Sequence, residues 1–408
     1  MGGMIRYEWK KIWGSRLTQL SVLGCSLFIL FCTWANIRQA YAVDSEGTAH
    51  YGLAAKEILK QTQERQVLDQ EAVEGIMQEY LDGAERIKKE AGDPEKASDK
   101  IWQTLYLPQG YLHGLITSVY REEADDETAV VYQKNMGRDF YQACSEKSKK
   151  HTALLEQRGE LTPEEARYWN QRNNSTEEYT YGYRKGWEDV LLSVPWGILI
   201  MMIVCVGIAP VFAGEYQTKC DSLLLCMKYG KNKLAAAKVA AAVLYASTVY
   251  VGITILNSAV ILAFLGAEGW DLPVQLYYPT VPVSYHVTFG QACLLMFLLG
   301  YVFTLGITAV TLWMSSIFKN AYGVIVAAFL FLIVPAFLQL GSLGYLPEHI
   351  LSVLPSKIMD FSFIDYTAYS FFGKVFSCLS VDLFVNGAAA VLFSLAGYRM
   401  FQKHQVNR

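Results

Sequence analysis

The densest chemistry in this chain lies in one short stretch between two apolar runs. Glu215, Lys219, Asp221, Lys228, Lys231 and Lys233 flank an apolar centre, Ser222-Leu223-Leu224-Leu225, and Gly230 follows it. Charges of both signs around such a centre suit ion pairing with a matching surface, although a plain basic turn has the same composition. Elsewhere the reactive residues are scattered. Six histidines (50, 113, 151, 286, 349 and 404) form no pair at metal-ligand spacing, and there is no HExxH. Glu164-Glu165-Ala166-Arg167 lacks the spacing of an intramembrane protease. No GxxxxGK[ST] phosphate loop occurs; Gly230-Lys231-Asn232-Lys233 lacks both its first glycine and its hydroxyl. Catalysis and nucleotide hydrolysis by this chain are therefore not expected, and no cofactor is.

The elements that must position these residues are long and apolar. Residues 17–37, 190–214, 239–267, 287–318 and 320–347 contain no charged side chain, and 375–398 contains only Asp382. A bilayer core of ~30 Å needs ~20 apolar residues in a helix, so each stretch is long enough to span. The expected spans are 17–37, 190–214, 234–267, 287–318, 320–342 and 375–398, with a tail at 399–408. A cleaved signal ending at Ala40-Tyr41-Ala42 is disfavoured by the length of the first run and by Arg38. Myristoylation is excluded by Arg6. Overall hydrophobic content is only 52% with a mean hydropathy of +0.19, because residues 38–189 carry 20 basic and 29 acidic side chains. Outside that segment, all basic residues but Lys357 and Lys374 cluster where the spans would emerge on one side. The positive-inside rule then places both termini and the 215–233 loop in the cytoplasm of a multi-pass plasma-membrane protein.

Asp382 is the one ionisable group in a probable span, which makes it a candidate intramembrane acid for proton coupling or a hydrated boundary residue. Asn257 and Asn386 are expected to hydrogen-bond between helices, and Gly300, Gly306, Gly387 and Gly397 to mark close packing. Pro195, Pro210 and Pro335 are expected to kink their spans. The fold class is all-α.

Residues 38–189 read as a helical outer domain large enough for its own core. Apolar residues recur at three- and four-residue spacings from Leu53 to Leu81, Val67 and Leu68 among them. Breaks are expected at Gly92-Asp93-Pro94 and Leu107-Pro108-Gln109-Gly110, and a helix start at Thr162-Pro163. Residues 179–189 are expected to run straight into the second span. Cys144 is the only cysteine there, so no internal disulfide can form. Asn173-Asn174-Ser175-Thr176 contains glycosylation sequons of little weight. Residues 343–374, rich in aromatics and broken by Pro355, suit short helices dipping into the outer headgroups.

Two amphipathic helices complete the plan. Within residues 1–16, Ile5, Trp9, Ile12 and Trp13 share a face while Arg6, Lys10 and Lys11 take others, as in a helix lying in the membrane interface against lipid. In the 215–233 loop, Tyr216, Cys220, Leu223, Leu224 and Met227 fall at helical spacing, with Gly230 at its end. A helix this short needs a surface to lie on.

Met4 to Trp13, Glu215 to Lys238 and the six-span plan together resemble the permease subunits of type-two ATP-binding-cassette (ABC) exporters, in the subset with a large outer domain after the first span. The resemblance implies that 215–233 is a coupling helix docking on a soluble ABC ATPase dimer. Glu215, Lys219, Asp221, Ser222, Leu223, Lys228, Gly230 and Lys231 would lie at or near that contact, framed by the N-terminal helix. ATP and magnesium would belong to the ATPase, and a second permease subunit, identical or related, would complete the pathway within membrane lipids. Nucleic acid is not an expected partner. Peptide, lipid-linked and hydrophobic substrates all fit an apolar route. The other functional class is a membrane-tethered receptor or sensor whose outer domain binds a ligand.

Overall fold

The computed structural model describes residues 1–122, 127–173, 178–220, 227, 230–338, 345–356 and 361–403. Helix α1 (Gly2–Trp13) turns through Gly14 and Ser15 into α2 (Arg16–Gln39), whose N-cap Ser15 accepts from the Thr18 amide. The next segment, called the outer segment after the side on which it is expected, follows as β1 (Tyr41–Val43), β2 (Ala49–Tyr51), α3 (Leu53–Thr62), β3 (Gln66–Leu68), α4 (Gln70–Ala91), α5 (Pro94–Ile101), α6 (Gly110–Tyr120), α7 (Thr128–Asn135), α8 (Phe140–Gln157), α9 (Pro163–Arg172) and β4 (Tyr179–Tyr181). Then come α10 (Lys185–Leu192), α11 (Gly197–Ile208), α12 (Pro210–Gln217), α13 (Ala235–Leu265), α14 (Phe289–Ile317), α15 (Ala321–Phe337), α16 (Tyr345–Ser352), β5 (Ala368–Phe371), β6 (Lys374–Ser377) and α17 (Cys378–Lys403).

The chain is a helical polytopic membrane protein. Among the described residues, five helical runs are long and apolar enough to cross a bilayer: α2, the α10–α12 stack (Lys185–Gln217), α13 with its preceding turn, α14 and α17. The sixth apolar stretch forms the shorter α15, 17 residues long. The α10–α12 stack and α14 are the most buried, and α2 and α17 lie at the periphery.

Small residues set how closely the helices approach. An added Cβ at Gly207 would stand 2.5 Å from the Tyr245 ring, so α11 and α13 meet only because that position is glycine. At Gly397 it would sit 3.3 Å from the Trp313 backbone, and at Gly306 3.3 Å from Asn386 Oδ1, which joins α14 to α17. Gly387 faces open space instead. Between helices, Thr33 Oγ1 donates to Asn257 Oδ1 at 2.6 Å, and Asn386 Nδ2 donates to Val353 O at 3.0 Å.

Prolines shape the second long span. Pro195 sits in a 3-10 turn between α10 and α11, and Pro210 opens α12. Around Pro210 the freed backbone groups find one hydroxyl on α14. Ser315 Oγ donates to Ala209 O at 2.7 Å and accepts from the Phe212 and Ala213 amides at 3.0 Å each. A neighbouring helix thus supplies the partners that proline removes. Pro335 lies within α15, two residues before its end.

Several local expectations change. Val67 and Leu68 are not helical; β3 pairs antiparallel with β4, Gln66 opposite Tyr181. Residues 179–181 therefore end a strand, and the helix leading into the membrane starts at Lys185. Two further ribbons join β1 to β2 and β5 to β6, so Tyr369 and Phe371 lie on a strand rather than a short helix. Three- and four-residue strands carry too little alternation to be read against a helical background. The helix start at Thr162 forms a capping box with Glu165, with Pro163 in the first turn. Gly92 adopts a left-handed φ of 63° between α4 and α5.

The outer segment's apolar interior is not its own. One continuous cluster runs from Met77, Leu112 and Tyr132 through Val283 and Tyr285 of the α13–α14 connection to Phe289 and Phe303. No disulfide joins the described cysteines, Cys144 among them.

Candidate functional site

At the end of the bundle that carries α1, three elements bring four charges together. Lys238 opens the third long span, Glu215 closes α12, and Glu8 and Lys11 lie one turn apart on α1. Lys238 Nζ donates to Glu8 Oε2 at 2.9 Å and to Glu215 Oε1 at 2.6 Å; Lys11 Nζ donates to the same Glu215 oxygen at 2.6 Å. Lys238 is 1% exposed, and Glu8 and Glu215 are also buried. Two carboxylates and two ammonium groups balance; Lys11 is half exposed, and deleting one of the three buried members costs about 3–5 kcal/mol. Burial acts to lower the Lys11 pKa, but the hydrogen bond and charge of Glu215 outweigh it and hold it above the ordinary lysine value.

The apolar face of α1 locks this cluster in place. Ile12 is buried, and Ile5, Trp9 and Trp13 pack against the core formed by Phe212, Ala241, Ala242 and Tyr245. The Trp13 ring meets Tyr245 edge-on at 5.3 Å. The face expected to lie against lipid is thus turned onto the protein's own helices. Glu8 and Lys238 carried no site signal in the sequence beyond their charge. The signal available was that Glu8 stands one turn from Lys11 on the apolar side of a helix.

Of the residues expected at a partner contact, Glu215 is an internal strut. Lys219 follows the end of α12 with φ 57°, where the helix stops, and Gly230 begins a π-helical turn, Gly230–Leu234, that feeds α13. Asp221, Ser222, Leu223 and Lys228 lie outside the described residues, as does the Lys231 side chain, and with them most of the expected loop helix. Asp382 lies in the second turn of α17, 3% exposed. Its Oδ2 accepts from Cys378 Sγ at 3.3 Å, and its Oδ1 has no hydrogen-bond partner among the described residues.

The opposite end of the α10–α12 stack has its own buried cation. Arg184, fully buried, donates to Gly182 O at 3.0 Å and Leu276 O at 3.2 Å, and its Nε lies 2.9 Å from Glu188 Oε1. The guanidinium also stands 5.3 Å from the ring centres of Tyr111 and Tyr181. One residue therefore ties α6 and β4 of the outer segment to α10 and to the α13–α14 connection.

Long apolar helices, with one buried charge cluster at one end of the α10–α12 stack and a second at the other, make up a polytopic membrane protein. A family model for ABC-2 family transporter proteins matches residues 18–398, and the chain belongs to that family. It is thus a membrane permease of an ABC transporter, a class that works with an ABC ATPase. No curated protein matches the chain, and no solved structure does.

Proposed function

We propose that this chain is the permease half of an exporter, with six spans, both termini in the cytoplasm of a plasma-membrane protein, and a second permease subunit beside it. A separate ABC ATPase docks on the segment between α12 and α13, around Lys219, Asp221, Ser222, Leu223, Lys228 and Lys231. The observation that carries this reading is the Glu8–Lys238–Glu215–Lys11 cluster. It welds both roots of that segment to α1, so a push on the segment moves the ends of two spans and α1 as one body. A loop that only set topology would need no such buried brace.

An apolar bundle under an outer segment with nine more acidic than basic residues suits a hydrophobic or cationic amphipathic cargo, peptide or lipid-linked. The test pairs the full chain with its ATPase. Charge reversal at Asp221 and Lys231 should cut capture of the ATPase and stimulation of its turnover by about tenfold, ~1.4 kcal/mol. Lys238→Met should preserve capture while lowering stimulation, because the segment remains but its brace does not. Full activity of the purified chain without any ATPase would refute the proposal, and so would indifference to both reversals.

A further inference from the structure

A cavity of about 770 Å³ lies between α14, α16 and α17. Its walls are nearly all apolar, with Val310, Val353, Ala389 and Phe393 among the lining residues. The one amide in the wall is engaged, since Asn386 Nδ2 donates to Val353 O at 3.0 Å and to Asp382 O at 3.1 Å. Polar groups occur at the upper rim, where Thr162 and Ser370 stand and Ser370 Oγ donates to Glu165 Oε1 at 3.2 Å, and beside it, where the Tyr369 hydroxyl donates to His349 O at 2.9 Å and His349 Nε2 lies 3.0 Å from Ala368 O.

Three observations identify the occupant. The slot is at membrane depth, and from Val381 to Phe393 it runs ~18 Å along α17 at ~1.5 Å per residue, close to the ~15 Å of one leaflet. It opens onto the lipid-facing surface: Val385 on its wall is 39% exposed beside Phe384 at 77%, and Ile350 is 63% exposed at its edge. Below Asn386 the lining of Val310, Ala389 and Phe393 offers water no side-chain partner, and an apolar void of this size is costly to leave empty. We propose that the slot holds one acyl chain of a membrane phospholipid, its polar head level with Thr162 and Ser370 and its tail reaching Val310. The lipid enters sideways and fills the space between α17 and α14. This site needs only that the chain spans a bilayer, so it stands or falls independently of ATPase docking.

The full chain, reconstituted in phosphatidylcholine and phosphatidylglycerol vesicles, is tested with a phospholipid carrying a photoreactive diazirine near the end of one acyl chain. Irradiation and peptide mapping should find adducts at Val310 and Val353 that saturate and are competed by unlabelled phospholipid. Ala389→Trp, which fills the slot, should reduce those adducts about tenfold and leave labelling of the exposed Leu392 and Leu395 unchanged. Val353→Trp should do the same at Val310 from another part of the lining, which guards against misfolding of one variant. Adducts confined to Leu392 and Leu395 would overturn the proposal. So would slot labelling that both tryptophans leave intact, or crosslinks at Val353 that join two copies of the chain.

Discussion

At the scale of single residues, Ser315 does the most with the fewest atoms. Its hydroxyl makes one donated and two accepted bonds to the backbone around Pro210. Ser315→Ala leaves two amides and a carbonyl buried without it, and a loss of about 1–3 kcal/mol is expected. Thermal melting of the purified protein should read this as a lowered midpoint, while Ser315→Thr, which keeps the hydroxyl, should recover most of it. Sequence reading found Pro210 but not its partner, because the two are 105 positions apart and a serine in an apolar helix is silent without a neighbour. His113 offers a pH test outside the membrane. Burial pushes its pKa down to about 4, and its Nδ1 lies 3.0 Å from the Tyr132 hydroxyl. The unfolded chain takes up that proton below ~6.5, whereas the folded chain resists until about 4. Stability is therefore full above ~6.5 and declines as pH falls towards 4, by roughly 3 kcal/mol at ~1.4 kcal/mol per unit. Melting midpoints measured from pH 7.5 to 4.5 should drop for the native chain and flatten for His113→Gln.

At the scale of elements, the long helices were legible and the short strands were not. Twenty or more apolar residues leave no alternative to a helix in lipid, so the runs around α2, α13 and α14 could be read from composition. The β1–β2 and β5–β6 ribbons are local hairpins whose strands of three or four residues are too short to show alternation, while the β3–β4 ribbon depends on pairings such as Val67 with Thr180, between distant positions that no local window contains. The same blindness hid the brace at Lys238, whose partners lie 23 and 230 positions away. Glycines were half legible: Gly306 and Gly397 do mark close approach, whereas Gly387 does not, and the close contact between α11 and α13 at Gly207 went unremarked. Gly207→Val should push Tyr245 from its seat and separate α11 from α13. The expected outcome is a marked loss of folded protein in detergent size-exclusion profiles, partly restored when Tyr245→Ala is added.

At the scale of the whole molecule, the outer segment and the membrane bundle share one apolar interior, and Arg184 is a buried point at which they are pinned. Arg184→Gln removes the charge paired with the buried Glu188 and the bond to Leu276. Limited proteolysis should then open the outer segment at lower protease concentration, while ATPase capture, proposed above to occur at the other end, stays unchanged. The outer segment's length suggested independence, and helical spacing alone could not reveal that Val283 and Tyr285, from a connection between two spans, complete its interior.

The α10–α12 stack is held fast at both extremities, by Arg184 and Glu188 at one and by Glu215 and Lys238 at the other. Its 33 residues make a rod of ~50 Å, so a swing of ~5° about the Glu215 end carries the Arg184 end through ~4 Å. The rod is a lever with a geared output. Under the proposed docking, a small stroke at the base is expected to emerge as a displacement large enough to part side chains at the far end, and the segment that Arg184 ties there is expected to move with it.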